Sequence, residues 1–197
     1  MLFRSNLDVY GLLRGIYKYS PSLEVEGRPR AQLLASGVAV PWAREAQRLL
    51  GEEWGVGADV WSVTSWNELR RDAVACEKYA FLHPDEEPRT PFVTEQLAET
   101  VGPVIAVSDF MRAVPDQISR WVPNDYTSLG TDGFGFADTR GAARRYFHVD
   151  AQSIVVAALE QLARRGDVKR EAPREAYERY RLDDVNAAGA GNTEGSA

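Results

Sequence analysis

Arg30 to Val40, RAQLLASGVAV, followed by PWAREAQRLLGEEWGVG and then by ADVWSVT at Ala58 to Thr64, decides the fold. The first run is continuously apolar and closes on a glycine, the pattern of a strand buried on both faces. Pro41 follows where the first turn of a helix needs no N–H. Ala43, Ala46, Leu49 and Leu50 then recur at three- and four-residue spacing with Arg44, Glu45 and Arg48 between them, so this segment reads as an amphipathic helix. Gly51, Gly55 and Gly57 end it, and the β-branched, aromatic run at 58–64 reads as a second strand. The unit is β-α-β, whose crossover places two strands in parallel.

The flanks extend the same layout. Ser65 and Glu68 have capping-box spacing, which predicts a helix from Trp66 through Leu69, Ala73, Cys76 and Tyr79 to about Phe81, stopped by His83-Pro84. After the acidic, proline-rich DEEPRTP at Asp85 to Pro91, Phe92 to Thr100 is a further short helix. Pro103 to Ser108, PVIAVS, is a third strand, followed by a helix carrying Met111, Val114, Ile118 and Trp121 on one side. Tyr126 to Leu129 is a fourth strand. Gly141 to Phe147 gives one or two helical turns, Asp150 caps a regular helix that runs to Gly166, and Ala172 to Tyr180 is the last helix. Ile16 to Tyr19 alternates as a short edge strand. These elements predict an α/β fold, a three-layer α/β/α domain with a mostly parallel, mixed sheet of about five strands.

The domain organisation expected is a linker remnant at 1–28 with the edge strand near 15–19, one α/β domain at 29–184, and a disordered tail at 185–197. The opening MLFRS prepares nothing that follows, which suggests further residues upstream. Length, 197 residues with 44% hydrophobic and 26% charged, suits one well-cored domain. A formal charge of −6 argues against nucleic acid as partner. Arg144-Arg145, Arg164-Arg165 and Lys169-Arg170 are expected on solvated helix faces. No run approaches the roughly 18 apolar residues of a membrane span, so a soluble, cytoplasmic protein is expected. Cys76 is the single cysteine, which rules out an intrachain disulfide.

The least generic stretch is Leu129 to Asp150, LGTDGFGFADTRGAARRYFHVD. Gly130, Gly133 and Gly135 mark a shaped loop. Asp132, Asp138 and Arg140 are expected to form an internal ion pair bracing it, with an anion-binding nest of N–H groups as the sharper alternative. Phe134 stands at its centre. His148 is expected to pack or hydrogen-bond, or else to touch a subunit interface or an active-site rim. His83, at a helix end, suits the carbonyl-rich terminus.

Catalytic motifs are absent. The first strand-helix turn is SGVAVP rather than G-x-G-x-x-G, and neither a P-loop nor a G-x-S-x-G elbow occurs. The two histidines have no second histidine or cysteine at ligand spacing. No residue is therefore assigned a catalytic, cofactor-binding or metal-ligating role.

Several runs nonetheless carry a resemblance: Arg14 to Lys18, Gln32 to Gly37, Asp59 to Leu69 (DVWSVTSWNEL), Leu82-His83-Pro84, Val107 to Met111, Leu129 to Asp138 with Arg140, and Val149-Asp150 with Val155 to Leu159. From about Leu12 to Asp184 the chain resembles the last, transketolase C-terminal-type domain of the homodimeric bacterial pyruvate dehydrogenase family. The resemblance implies a parent enzyme of three α/β domains that uses thiamine diphosphate and magnesium to decarboxylate pyruvate. It passes the two-carbon unit to the lipoyl group of the dihydrolipoamide acyltransferase. The family's magnesium-diphosphate motif is G-D-G with a pair of asparagines about 25 to 30 residues later. Thr131-Asp132-Gly133 lacks the first glycine, and no such pair follows. The activating glutamate and the substrate-facing histidines belong to other domains. The chain alone is thus expected to bind no cofactor and to serve dimer assembly, with Asp132, Gly133, Phe134, Gly135, Asp138, Arg140 and His148 as structural or interface candidates. Its partners would be the first two domains of the enzyme, a second subunit and the acyltransferase. Two alternatives stand beside this: a docking module for the acyltransferase or dihydrolipoamide dehydrogenase, and an independent nucleotide-binding protein with a polar pocket near Gly37, Ser65 and Ser108.

Overall fold

The computed structural model describes residues 7–22 and 27–189. In chain order the elements are α1 (Val9–Arg14), β1 (Ile16–Ser20), β2 (Arg30–Ala35), α2 (Val40–Glu53), β3 (Gly57–Val63), α3 (Trp66–Leu82), α4 (Phe92–Leu97) and β4 (Val104–Val107). There follow α5 (Ala113–Asp116), β5 (Tyr126–Leu129), α6 (Arg140–Tyr146), α7 (Ala151–Arg165) and α8 (Ala172–Arg179). Short 3-10 turns lie at Gly37–Ala39, Ser119–Trp121 and Val185–Gly189.

The five strands form one sheet in the order β1-β3-β2-β4-β5. All neighbours are parallel except β1, which pairs antiparallel with β3 through Ile16 opposite Val63. The mixed α/β architecture is the one expected. Its central strand shows why the 30–35 run is apolar throughout: successive side chains point to opposite faces, and both faces are covered. Leu33 packs with Val60, Ile105, Leu50, Ile154 and Leu162 beneath α2 and α7. Leu34 packs with Trp61, Trp66, Leu69, Phe92 and Ile118 on the other side, beneath α3 and α4. Both leucines are fully buried.

Four boundaries differ from the sequence reading. The apolar run expected as a strand to Val40 ends at Ala35, and its tail GVAV turns through the 3-10 segment into α2. Apolarity alone cannot mark that boundary, because the turn is buried too. The helix expected to carry Met111, Val114, Ile118 and Trp121 is only α5 and a separate 3-10 turn, and Met111 is exposed. Pro115 sits in the first turn of α5, where its missing N–H is tolerated, and the chain leaves the helix through i→i+3 bonds from the Ile118 N–H to Pro115 O and from the Trp121 N–H to Ile118 O. Residues Val9–Arg14, within the expected linker, form α1, capped by Asp8 Oδ1 accepting the Gly11 N–H at 2.9 Å. Val185–Gly189, expected to be disordered, is a 3-10 turn against α6. The remainder of the expected tail, 190–197, lies outside the described residues.

Ser65 caps α3 as the sequence predicts, its Oγ accepting the Glu68 N–H at 3.1 Å. Glu68 does not return the second bond of a capping box; its carboxylate pairs with Arg71. Asp150 caps α7 by accepting the Ser153 N–H at 2.9 Å.

Candidate functional site

The strand order places β3 and β4 on opposite sides of β2, so the crossovers leaving the carboxyl ends diverge there, the position at which open α/β sheets form crevices. A cleft of about 710 Å³ lies along this edge. It is lined by Ser36, Gly37 and Val40 after β2, by Ser62 to Asn67 around the end of β3, and by Phe110 and Val114 after β4. Gly37 and Ser65 thus occupy the place expected for a polar pocket, whereas Ser108 is fully buried and lies outside the lining. No charged side chain lines the cleft. Ser36 Oγ and Trp66 Nε1 are buried without a hydrogen-bond partner among the described residues. Such a group typically costs about 1–3 kcal/mol when left unpaired.

The glycine loop continues this edge beyond β5. Asp132 pairs with Arg112, not with Arg140: Oδ1 accepts the Arg112 N–H and Oδ2 accepts Nε, each at 2.9 Å. These bonds hold the Asp132 carboxyl below its ordinary pKa. Asp138 accepts the Thr139 N–H at 2.6 Å, and Thr139 Oγ1 caps α6 through the Ala142 N–H. Arg140 is exposed and has no ion pair among the described residues. The expected Asp132–Asp138–Arg140 brace is therefore replaced by a link between this loop and the segment after β4. Sequence spacing could not show that link, because its partners are 20 residues apart and meet only when β5 lies beside β4.

Gly130 is the loop's indispensable glycine. A Cβ there would lie 2.6 Å from Phe110 O and 2.8 Å from Arg112 N. Gly133 has φ +92° with open space around it, and Gly135 has no neighbour near its Cβ position. Phe134 is 96% exposed, while Phe136 stacks on Tyr146 at 4.3 Å. His148 has φ 55° at the turn between α6 and α7, its N–H bonded to Arg145 O, and its side chain is exposed. His83 stacks on Tyr79 at 4.4 Å, with Nδ1 3.4 Å from Glu86.

The comparisons with known proteins agree with this architecture. The family model for the transketolase-like TK C-terminal domain matches residues 15–150. The chain belongs to that family. Among solved structures, this transketolase-like chain resembles a transketolase mutant from Pichia stipitis in fold, with TM-score 0.55 at 16% identity over 80% of this chain and 19% of that one. It is 59% identical over 184 residues to the pyruvate dehydrogenase E1 component of Mycolicibacterium smegmatis and 57% identical over 183 to that of Mycobacterium tuberculosis. Each match covers 93% of this chain and 20% of the relative, so the transketolase-like chain spans about a fifth of their length.

The residue that sequence reasoning missed is Arg145. Expected on a solvated face, it is 2% exposed: Nε donates to Asp150 Oδ2 at 2.5 Å, and Nη1 donates to Tyr180 O at 2.9 Å and Arg181 O at 3.1 Å. Its neighbour Arg144 lies over the Trp42 ring at 4.6 Å, and burial, then the charge of Arg140, lowers its pKa. Tyr146-Phe147 beside the pair was the available signal, since a basic pair embedded in aromatics reads as packed as readily as solvated. By contrast, Arg164 and Arg165 make exposed pairs with Glu160, Asp125 and Asp167, as a solvated face should. All five tryptophans find places within the chain. Trp61 and Trp66 are core, Trp54 donates to Tyr180, Trp121 donates to Glu77, and Trp42 lies beneath Arg144.

Proposed function

We propose that the chain is the C-terminal domain of a pyruvate dehydrogenase E1 component and that it serves architecture rather than chemistry. The observation that carries this reading is the 59% identity over 184 residues to a protein of that name. On the family resemblance, the parent is a cytoplasmic homodimer that decarboxylates pyruvate with thiamine diphosphate and magnesium and acetylates the lipoyl group of the acyltransferase. Residues 29–184, with the edge strand β1 (Ile16–Ser20) added to their sheet, form the domain itself.

The residues present do not fit a magnesium-diphosphate site. Such a site needs several oxygen ligands around one cation. Among the described residues no group of three or more His, Cys, Asp or Glu side chains is placed to hold a metal. Asp132, the residue nearest to the family motif, is occupied by Arg112. No step of the decarboxylation is assigned to this chain. Among the described residues no helix is long and apolar enough to cross a membrane.

The features that favour an assembly role are the exposed Phe110, Met111 and Phe134 in the segments that follow β4 and β5, where aromatic side chains suit an interface core. Isothermal titration of the chain with thiamine diphosphate and magnesium should give no saturable heat, and micromolar binding would overturn the reading. Mixing with the first two domains of the parent, produced separately, should give a complex that sediments as a single species.

A further inference from the structure

We propose that Arg140 and Arg144, on one face of α6, dock an acidic polypeptide segment, an interaction that goes beyond the architectural role. The two residues stand four apart in a helix, so their side chains are neighbours. Neither guanidinium makes a hydrogen bond or an ion pair among the described residues. Like charges at this spacing destabilise a helix, and Arg140, the first residue of α6, also opposes the helix dipole. The arrangement is unfavourable until an anion joins it.

Elsewhere in the chain the same spacing joins opposite charges. Arg48 pairs with Glu52 on α2, Arg164 with Glu160 on α7 and Arg174 with Glu178 on α8. The carboxylates nearest α6 in sequence are already engaged: Asp132 by Arg112, Asp138 by the Thr139 N–H, and Asp150 by Arg145 and the Ser153 N–H. Arg144 is also held in place, half-buried over the Trp42 ring at 4.6 Å. Burial and then Arg140 lower its pKa against the pull of Asp150, so that carboxylate does not offset the local positive charge.

The spacing sets the partner. Four residues of helix rise about 6 Å, and alternate side chains of an extended peptide lie about 6.6 Å apart. Carboxylates at every second residue can therefore meet both guanidiniums, each of which can take two oxygens. The Trp42 ring beneath Arg144 adds aromatic area that a polypeptide can cover and a bare ion cannot use. The formal charge of −6 disfavours nucleic acid as the anion.

The test is a titration of the ¹⁵N-labelled chain with the blocked pentapeptide Glu-Ala-Glu-Ala-Glu, followed by arginine Nε–H and indole N–H chemical shifts. The blocked Gln-Ala-Gln-Ala-Gln peptide and inorganic phosphate are separate arms. Saturable shifts at Arg140, Arg144 and the Trp42 indole are the expected result, weakened several-fold when ionic strength rises from about 50 mM to about 300 mM. Arg140→Gln combined with Arg144→Gln should weaken binding about tenfold. Arg70→Gln, which removes an exposed charge from α3, should leave it unchanged. Saturation absent from the three signals, or an equal loss in Arg70→Gln, overturns the site. Equal binding of the glutamine peptide overturns recognition of carboxylates, and phosphate binding as tight as that of the acidic peptide overturns the polypeptide partner. The titration of the unaltered chain and its salt dependence decide the matter even where a variant fails to fold. Both are read without partner domains, so their outcome is separate from that of the assembly reading.

Discussion

Arg145 Nε lies 2.5 Å from Asp150 Oδ2, and the two side chains are 2% and 9% exposed. The same guanidinium holds the Tyr180 and Arg181 carbonyls at the end of α8, while Asp150 caps α7. One buried cation thus ties α6, α7 and α8 together. Arg145→Met should strand the Asp150 carboxylate and cost about 3–5 kcal/mol. Asp150→Asn keeps an acceptor for the helix cap and should cost less. Urea denaturation of the two variants checks the order, and equal stability of Arg145→Met and the parent chain would refute the clamp.

Gly130 and Gly135 should respond differently to the same change. Gly130→Ala forces a Cβ against the backbone of Phe110 and Arg112 and should cost about 1–3 kcal/mol. Gly135→Ala meets open space and should stay within about 0.5 kcal/mol. Thermal melts of both variants measure the contrast.

Phe134 is almost wholly exposed, so Phe134→Ser should leave the chain's own stability within about 0.5 kcal/mol. Under the assembly reading it should weaken association with the remaining domains, measured by sedimentation.

Stability should fall at high pH. Burial, the largest cause, and the nearby Glu53 push the Tyr180 hydroxyl pKa up to about 12, against the opposing Trp54 hydrogen bond. A tyrosine pKa raised in the folded state contributes stability that is intact below the unfolded value of about 10 and is lost as pH rises towards the folded one. Tyr180→Phe should flatten this part of the curve, as followed by tyrosinate absorbance and by stability against pH.

The Asp132 carboxyl has a depressed pKa through its bonds to Arg112. The contact is therefore complete above the ordinary carboxylate range and is lost as pH falls through the depressed folded value. Arg112→Gln should return the Asp132 titration towards the ordinary range, measured by carboxyl carbon NMR.

The sequence by itself determined the class of fold. Period-two and period-3.6 patterns reflect which side chains face the core, so the β-α-β unit at 30–64, the Ser65 and Asp150 caps and the alternating edge strand could all be read along the chain. The motif runs from Arg14 to Leu159 likewise carried the family resemblance. What only the tertiary structure decided were relations between residues distant in sequence. The strand order brings the ends of β2, β3 and β4 to one cleft, and β4 beside β5 brings Arg112 to Asp132. The meeting of α6 with α8 turns Arg145 from an apparent surface charge into a buried tie. Local patterns encode burial, whereas charge partners and clefts depend on which elements become neighbours, and that is fixed only when the sheet closes and its helices pack.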